Sequence, residues 1–253
     1  MNTLRKWQKH TQPLLVSVVL GCFSYSSVQA ATSVTVSNGF ESGNLTGLTC
    51  SGNCPSVTTS PIKTGKYAGN FDLTPKMKTN YRTEAVLGSK GRFQFGKEYW
   101  IEFNYRYEDW AKDSDPEIGP FQIHTTPSSW NCNLGSAVGS APFLMMSSND
   151  EARFVTYRGK VLWRGPVQKK QWMNISVHFK ISTGNDGFVE AWKDGVSLGR
   201  VNGANSPKVD ICGKPMREPY FKMGVYKWNW QRVLTQSSRR QLFIDDLKIT
   251  AVN

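Results

Sequence analysis

The sequence predicts an all-β protein built as a sandwich of two antiparallel sheets. Three observations carry that prediction. Several segments alternate apolar and polar residues, the period-two pattern of a strand with one buried face. These segments are short and are separated by Gly, Pro, Asn and Ser, the residues of tight turns. Beyond residue 31 no window of useful length repeats apolar residues at helical spacing, and no repeat or low-complexity linker interrupts the chain. With 253 residues, 39% of them hydrophobic, the chain is sized for one sandwich domain, expected over residues 31–253.

The first thirty residues read as a secretory signal. Arg5, Lys6 and Lys9 precede an apolar run over residues 14–23, too short to cross a bilayer as a helix, and Val28-Gln29-Ala30 has the small-residue character of a cleavage site. Cleavage after Ala30 would give a secreted or periplasmic protein. Val19-Leu20-Gly21-Cys22 offers a second route, in which a lipidated Cys22 anchors the chain to a membrane, although the leucine before the glycine argues against it. Of five cysteines, one lies in the signal. The remaining Cys50, Cys54, Cys132 and Cys212 suit two disulfides in an oxidising compartment. Among the three pairings, Cys50–Cys54 with Cys132–Cys212 is the one expected here. A zinc site is the competing reading, but only one close pair is present.

The formal net charge is +12, about +9 once the three basic residues of the signal are removed. A basic exported protein suggests an anionic partner, a nucleic acid or an acidic polysaccharide, with improved solubility as the plainer explanation.

Each strand has its own justification. Residues 99–107 alternate throughout, with Ile101, Phe103, Tyr105 and Tyr107 inward, and residues 174–181 do the same. Residues 187–195 form a strand ending in the Asp194-Gly195 turn signal. Residues 242–249 close the chain. Residues 220–226 divide most cleanly. Phe221, Met223 and Val225 make an apolar face, whereas Tyr220, Lys222, Gly224 and Tyr226 share the other. Lys222 and Tyr226 are then roughly 13 Å apart along one groove, with the glycine between them leaving room for something flat. Gln122 and His124 likewise face away from Phe121 and Ile123, and Arg82 shares a face with Glu84. Three such strands would build one polar, cationic trough.

Arg82-Thr83-Glu84, Gln122-Ile123-His124 and Tyr220-Phe221-Lys222-x-Gly224-x-Tyr226, in that order, resemble the signature strands of the jelly-roll polysaccharide lyases. The motifs are most similar to the family 7 alginate lyases. Length and intervening segments, including residues 188–195 and 243–247, look more like the family 20 glucuronan lyases and the heparin lyase I group. The resemblance covers roughly residues 34–251. It implies a concanavalin-like β-jelly roll with a concave, sugar-holding face. There are departures: Ala85-Val86 follows Arg-Thr-Glu where family 7 has Leu and Arg, and Lys227-Trp228 replaces Asn-Gln. These bear on alginate as the substrate more than on elimination.

A uronate polymer can be cut by β-elimination, in which the C5 proton is removed and the 4-O-linked sugar leaves. The carboxylate must be neutralised so that a second negative charge can develop beside it. Gln122 (an amide donor) and Arg82 (a rigid fork) suit that task. Tyr226 can act as acid, and as base if a nearby cation eases its ionisation; His124 is the alternative base. The resemblance puts the same roles on Gln122, His124 and Tyr226. Lys222, Glu84, Tyr220, Trp228 and His178 are candidates for substrate contact, with Glu84 expected to pair with Arg82 or Lys222. A lone Tyr, Lys or His on a strand usually packs or faces solvent; the three motifs in order and at matching parity are what raise these residues above that. His178 is read as structural or subsite-lining.

Two rival classes stand beside the lyase: a non-catalytic lectin-like jelly roll, and a glycoside hydrolase, which would need two carboxylates flanking the bond. The adjacent Asp245-Asp246 is expected to point its carboxylates oppositely and so to fail that requirement. No cofactor is expected for catalysis. A structural calcium ion is expected at Glu41 and Asp245, because Asp245 shares the inward face with Phe243 and Leu247 and an unpaired buried charge is costly; an ion pair to a Lys or Arg is the other way to offset it. The expected partner is glucuronan, alginate or a heparin-like glycosaminoglycan, acted on by a monomer, with no nucleic acid and no membrane unless Cys22 is lipidated.

Overall fold

A computed structural model describes residues 32–77, 81–135, 140–232, 235, 237 and 239–252. The expected signal and Cys22 lie outside the described residues. Fifteen strands carry the fold: β1 Thr32–Asn38, β2 Thr49–Gly52, β3 Ser56–Thr58, β4 Ala68–Leu73, β5 Arg82–Val86, β6 Glu98–Trp110, β7 Glu117–Thr126, β8 Phe143–Ser148, β9 Glu151–Thr156, β10 Lys160–Pro166, β11 Met173–Lys180, β12 Phe188–Lys193, β13 Val196–Asn202, β14 Arg217–Tyr226 and β15 Arg240–Val252. Among the described residues helix amounts to short 3₁₀ turns and the helical Ser140.

The strands form two antiparallel sheets. The first has the order β13-β12-β11-β6-β15-β4-β3, with β1 also paired to β15; the second has the order β10-β9-β8-β7-β14-β5-β2. The two-sheet sandwich is what the alternation pattern implied, and the jelly roll is what the resemblance added to it. In β6, Ile101, Phe103, Tyr105 and Tyr107 are all buried while the residues between them are partly exposed. Asp194 and Gly195 both take positive φ, 50° and 76°, the backbone of a type I′ hairpin turn.

The core lies between the sheets. Phe103 of the first sheet meets Phe121 and Phe221 of the second at ring-centroid distances of 5.4 and 6.0 Å. Burying the odd-numbered residues of β7 and β14 in this layer turns their even-numbered neighbours outward. That parity positions the site.

Candidate active site

β5, β14 and β7 lie side by side with β14 in the middle. Their register sets Tyr220 opposite His124, Lys222 opposite Gln122, Gly224 opposite Glu84 and Tyr226 opposite Arg82. All eight residues share the outward face, because Thr83, Ala85, Phe121, Ile123, Phe221, Met223 and Val225 are buried on the other. The three motifs therefore build one surface, as their parity required.

Glu84 is the hub of its floor. One carboxylate oxygen accepts a hydrogen bond from Gln122 Nε2 at 2.6 Å; the other lies 2.6 Å from Lys222 Nζ and 3.6 Å from Arg82. Glu84, Gln122 and Lys222 are only 1–2% exposed, so these charges interact through little water. Burial pulls Lys222 below the ordinary lysine range, with the Glu84 carboxylate opposing the shift. Two cations against one carboxylate leave the floor with one surplus positive charge. Gln122 Oε1 is buried without a hydrogen-bond partner.

The ends of the row are more open. At one end the Arg82 guanidinium carbon lies 3.8 Å from the centre of the Tyr226 ring, and Trp228 meets that ring edge-on at 5.9 Å. Tyr226 and Trp228 also pack on a small apolar cluster that includes Ile118, Leu144 and Met146. At the other end the rings of His124 and Tyr220 are 5.4 Å apart. His124 Nδ1 lies 2.6 Å from the Thr125 carbonyl; this contact assigns the proton to Nδ1 and leaves Nε2 as an acceptor. Burial, reinforced by the charge of Lys222, holds His124 down at about 4, and burial pushes the Tyr220 phenol up. Six residues of β14 separate the two ends, about 20 Å along the strand at Cα level. The register therefore does not set His124 beside Tyr226; the phenol it sets there belongs to Tyr220.

Two glycines shape this face. Gly224 takes φ +124°, and a Cβ there would lie 2.2 Å from the Thr83 carbonyl oxygen and 2.7 Å from Phe71. Its missing side chain makes room for β5 and the core, not for a flat ligand above the trough. Gly52, at φ +80°, sits so close to Arg82 that a Cβ would be 2.2 Å from Arg82 Cγ. The next residue, Asn53, donates from both its backbone N and Nδ2 to the Arg82 carbonyl, each at 3.0 Å. This short loop is closed by the Cys50–Cys54 disulfide and holds the start of β5.

A protein-family model described as polysaccharide lyase matches residues 33–248. The chain belongs to that family. A search of the curated proteins found no match. Among solved structures, the lyase is similar to an endo-β-1,4-glucuronan lyase from the fungus Trichoderma reesei, with TM-score 0.66 and 17% identity over 87% of this chain and 96% of that one. It is similar to the cellulose-induced protein Cip1 at TM-score 0.57 and 13% identity, covering 85% and 96%. It also resembles a family 7 alginate lyase from Zobellia galactanivorans at TM-score 0.51 and 16% identity, covering 77% and 84%. At these identities the likeness is one of fold.

Other expected residues fall elsewhere on the lyase. His178 is on β11 of the first sheet, stacked on Trp100 at 4.4 Å and 2° and 3.2 Å from Glu98. It faces away from the trough and does not join it. Period-two alternation tells which face a residue takes but not which sheet its strand enters. Asp245 and Asp246 also lie on the first sheet, and their carboxylates do not point oppositely. Lys63 N and Thr64 N donate to Asp245, and Thr64 Oγ1 donates to Asp246 at 2.5 Å. Asp246 has φ 55° beside a register shift in β15, and this bulge breaks the alternation.

Glu41 accepts hydrogen bonds from Lys66 N and Tyr67 N. A Cβ on Gly39 would lie within 3.7–3.8 Å of Glu41, Asp245 and Asp246 at once. No Lys or Arg pairs with any of these three among the described residues. Burial first, and then the charge of Asp246, raise Asp245 above the usual carboxylate range. These carboxylates are oxygen donors of the kind a hard cation takes, although their ligand atoms do not all come within 4.8 Å of one another. Among the described residues, the one trio of ligand-type side chains within 4.8 Å is Cys132, Asp210 and Cys212. Its two sulfurs are joined in the expected Cys132–Cys212 disulfide.

Sequence reasoning passed over a second charged cluster. Lys227, directly after Tyr226, places Nζ 3.1, 3.2 and 2.9 Å from Asp113, Asp115 and Glu117, and Arg240 of β15 reaches Asp113 and Glu117 at 3.6 and 3.3 Å. The i, i+2, i+4 spacing of the three acids was visible; their common partner, more than 100 residues away, was not.

Proposed function

We propose that this lyase is exported, works as a monomer and cleaves a uronate-containing anionic polysaccharide by β-elimination. The observation that carries the reading is the surplus positive charge of the Arg82–Lys222–Glu84–Gln122 floor. It matches one uronate carboxylate, and neutral acid–base groups flank it. The names of the glucuronan and alginate lyases that share the fold support the same substrate class. Export is supported by the two disulfides.

In this reading Arg82 and the remaining N–H of Gln122 hold the carboxylate and stabilise the charge that develops there as the C5 proton departs. A carboxylate on Arg82 brings C5 beside the Tyr226 hydroxyl. The C5–H bond breaks, a C4–C5 double bond forms, the C4–O bond breaks, and the leaving oxygen takes a proton. Tyr226 gives that proton and also receives the one from C5. His124, with a free Nε2 lone pair, stands at the far end of the row and serves the neighbouring sugar. The acidic corner at Glu41 and Asp245 takes a calcium ion that ties the chain ends together without entering the chemistry.

The test is a panel of glucuronan, alginate and heparin-type polymers, followed by ultraviolet absorbance of the unsaturated product. One polymer is expected to give product with the wild type and none with Tyr226→Phe, which should still bind it. Near-normal turnover by Tyr226→Phe would remove the assignment, and no product from any polymer would remove the reaction.

A further inference from the structure

Three of the six large apolar side chains that stand exposed among the described residues gather on two loops beyond the His124 end of the trough. They are Trp130 (62% exposed), Val209 (42%) and Ile211 (63%). An exposed Trp in a protein with a full aromatic core calls for a partner. Its ring is 6.0 Å from that of His124, so it continues the row Tyr226, Lys222, Tyr220 and His124 by one more group.

The two loops are built to hold that ring in place. The Cys132–Cys212 disulfide joins them across 80 residues. Asp210 is buried beneath them; it accepts from Ser128 N at 2.9 Å, from Ser128 Oγ, and from Cys212 N and Lys214 N at 3.0 Å each. Ile211 N donates to the Cys132 carbonyl at 3.3 Å. Lys208, Lys214 and Arg217 stand exposed on the same stretch. A flat apolar ring with ammonium and guanidinium groups nearby is the chemistry that recognises an acidic sugar, one face on the aromatic and its carboxylate on a cation.

We propose that Trp130 forms an outlying subsite of the trough and stacks on the apolar face of a uronate ring distant from the cleaved bond. The proposal rests on the uronate-polymer reading above. It makes Trp130 a determinant of chain-length preference: polymers long enough to span the row gain its contact, and short ones do not.

The test uses calorimetry in a Tyr226→Phe background, with saturated hexasaccharides and disaccharides of glucuronan and of alginate. Trp130→Ala should weaken hexasaccharide binding roughly three- to tenfold, the size of one aromatic contact, and leave disaccharide binding unchanged. Trp130→Phe should recover most of the loss. Unchanged hexasaccharide binding by Trp130→Ala, with the wild type still making unsaturated product, overturns the subsite alone. No binding of either hexasaccharide and no product from the wild type overturns the uronate reading together with it. A concentration-dependent dimer in sedimentation that Trp130→Ala abolishes would assign the lip to a second copy instead.

Discussion

Lys222 and Lys227 sit five residues apart at the end of one strand, and both are buried at 0–2% exposure. Their surroundings differ in two respects. Lys222 meets one carboxylate and shares it with a second cation, and the residues flanking it, Arg82 and Tyr226, are partly exposed. Lys227 meets three carboxylates, two of which, Asp113 and Glu117, it shares with Arg240. Ser147 and Thr235 donate into that cage, and Trp110 and Trp230 donate to those hydroxyls in turn. One cluster is short of negative charge and has an opening; the other has a surplus of it and is sealed. Residue types alone do not separate a site from a brace. The residual charge and the access to it do.

The largest effect should come from breaking the brace. Lys227→Met leaves the buried Asp113 and Glu117 with only Arg240 and Asp115 without its cation, and removing one partner of a buried ion group costs about 3–5 kcal/mol. The melting midpoint should fall by roughly 10 °C. Lys222→Met should cost far less stability, because Glu84 keeps Arg82 and Gln122, yet it should abolish turnover. Equal losses of stability in the two variants would erase the contrast.

Within the trough, Gln122→Ala removes one donor from the reacting carboxylate, and turnover should drop about 10²–10³-fold, measured as the rate of unsaturated product. His124→Ala sharpens the register argument. If it falls as far as Gln122→Ala, histidine is the base. Near-wild-type turnover leaves both proton transfers to Tyr226.

His124 also predicts a pH effect on stability. Its folded value of about 4 lies below the ordinary 6.5, so between these values the unfolded chain binds more protons than the folded one. The contribution is complete above pH 6.5, is lost as pH falls through that window, and is gone below about 4. Melting midpoints of the wild type should slope more steeply with pH across the window than those of His124→Gln; parallel slopes would refute the assignment. The smallest effect is expected at Glu41 and Asp245. A chelator should lower the midpoint by a few degrees if calcium binds there, and an unchanged melt with no calcium by elemental analysis would remove the ion.

Much of this was legible in the chain. Alternation in residues 99–107 and 220–226 located strands and sorted their faces, because burial enforces a period of two. The order of the three motifs brought Arg82, Gln122 and Lys222 together around Glu84. What escaped was set at longer range. Register separated His124 from Tyr226, and no local pattern encodes register between strands about a hundred residues apart. Sheet membership took His178 away. Backbone irregularity turned Asp246 toward Thr64 and aimed the vacancy at Gly224 into the protein. Trp130 was one of nine tryptophans, and only its 62% exposure distinguishes it from those that fill the core.

Gly224 presents nothing that a polymer could grip, yet a survey of substitutions scored by activity would rank it with Tyr226. Any β-carbon placed there meets the Thr83 carbonyl and, at 2.9 Å, the Cα of Glu84. β5 would have to yield outward, taking Glu84 from Lys222 and Arg82 from Tyr226 in a single displacement. The variant would look like the loss of a catalytic group although no chemistry had been removed. For anyone reshaping this enzyme toward a new polymer, variation belongs at the ends of the row, because its centre tolerates no added atom.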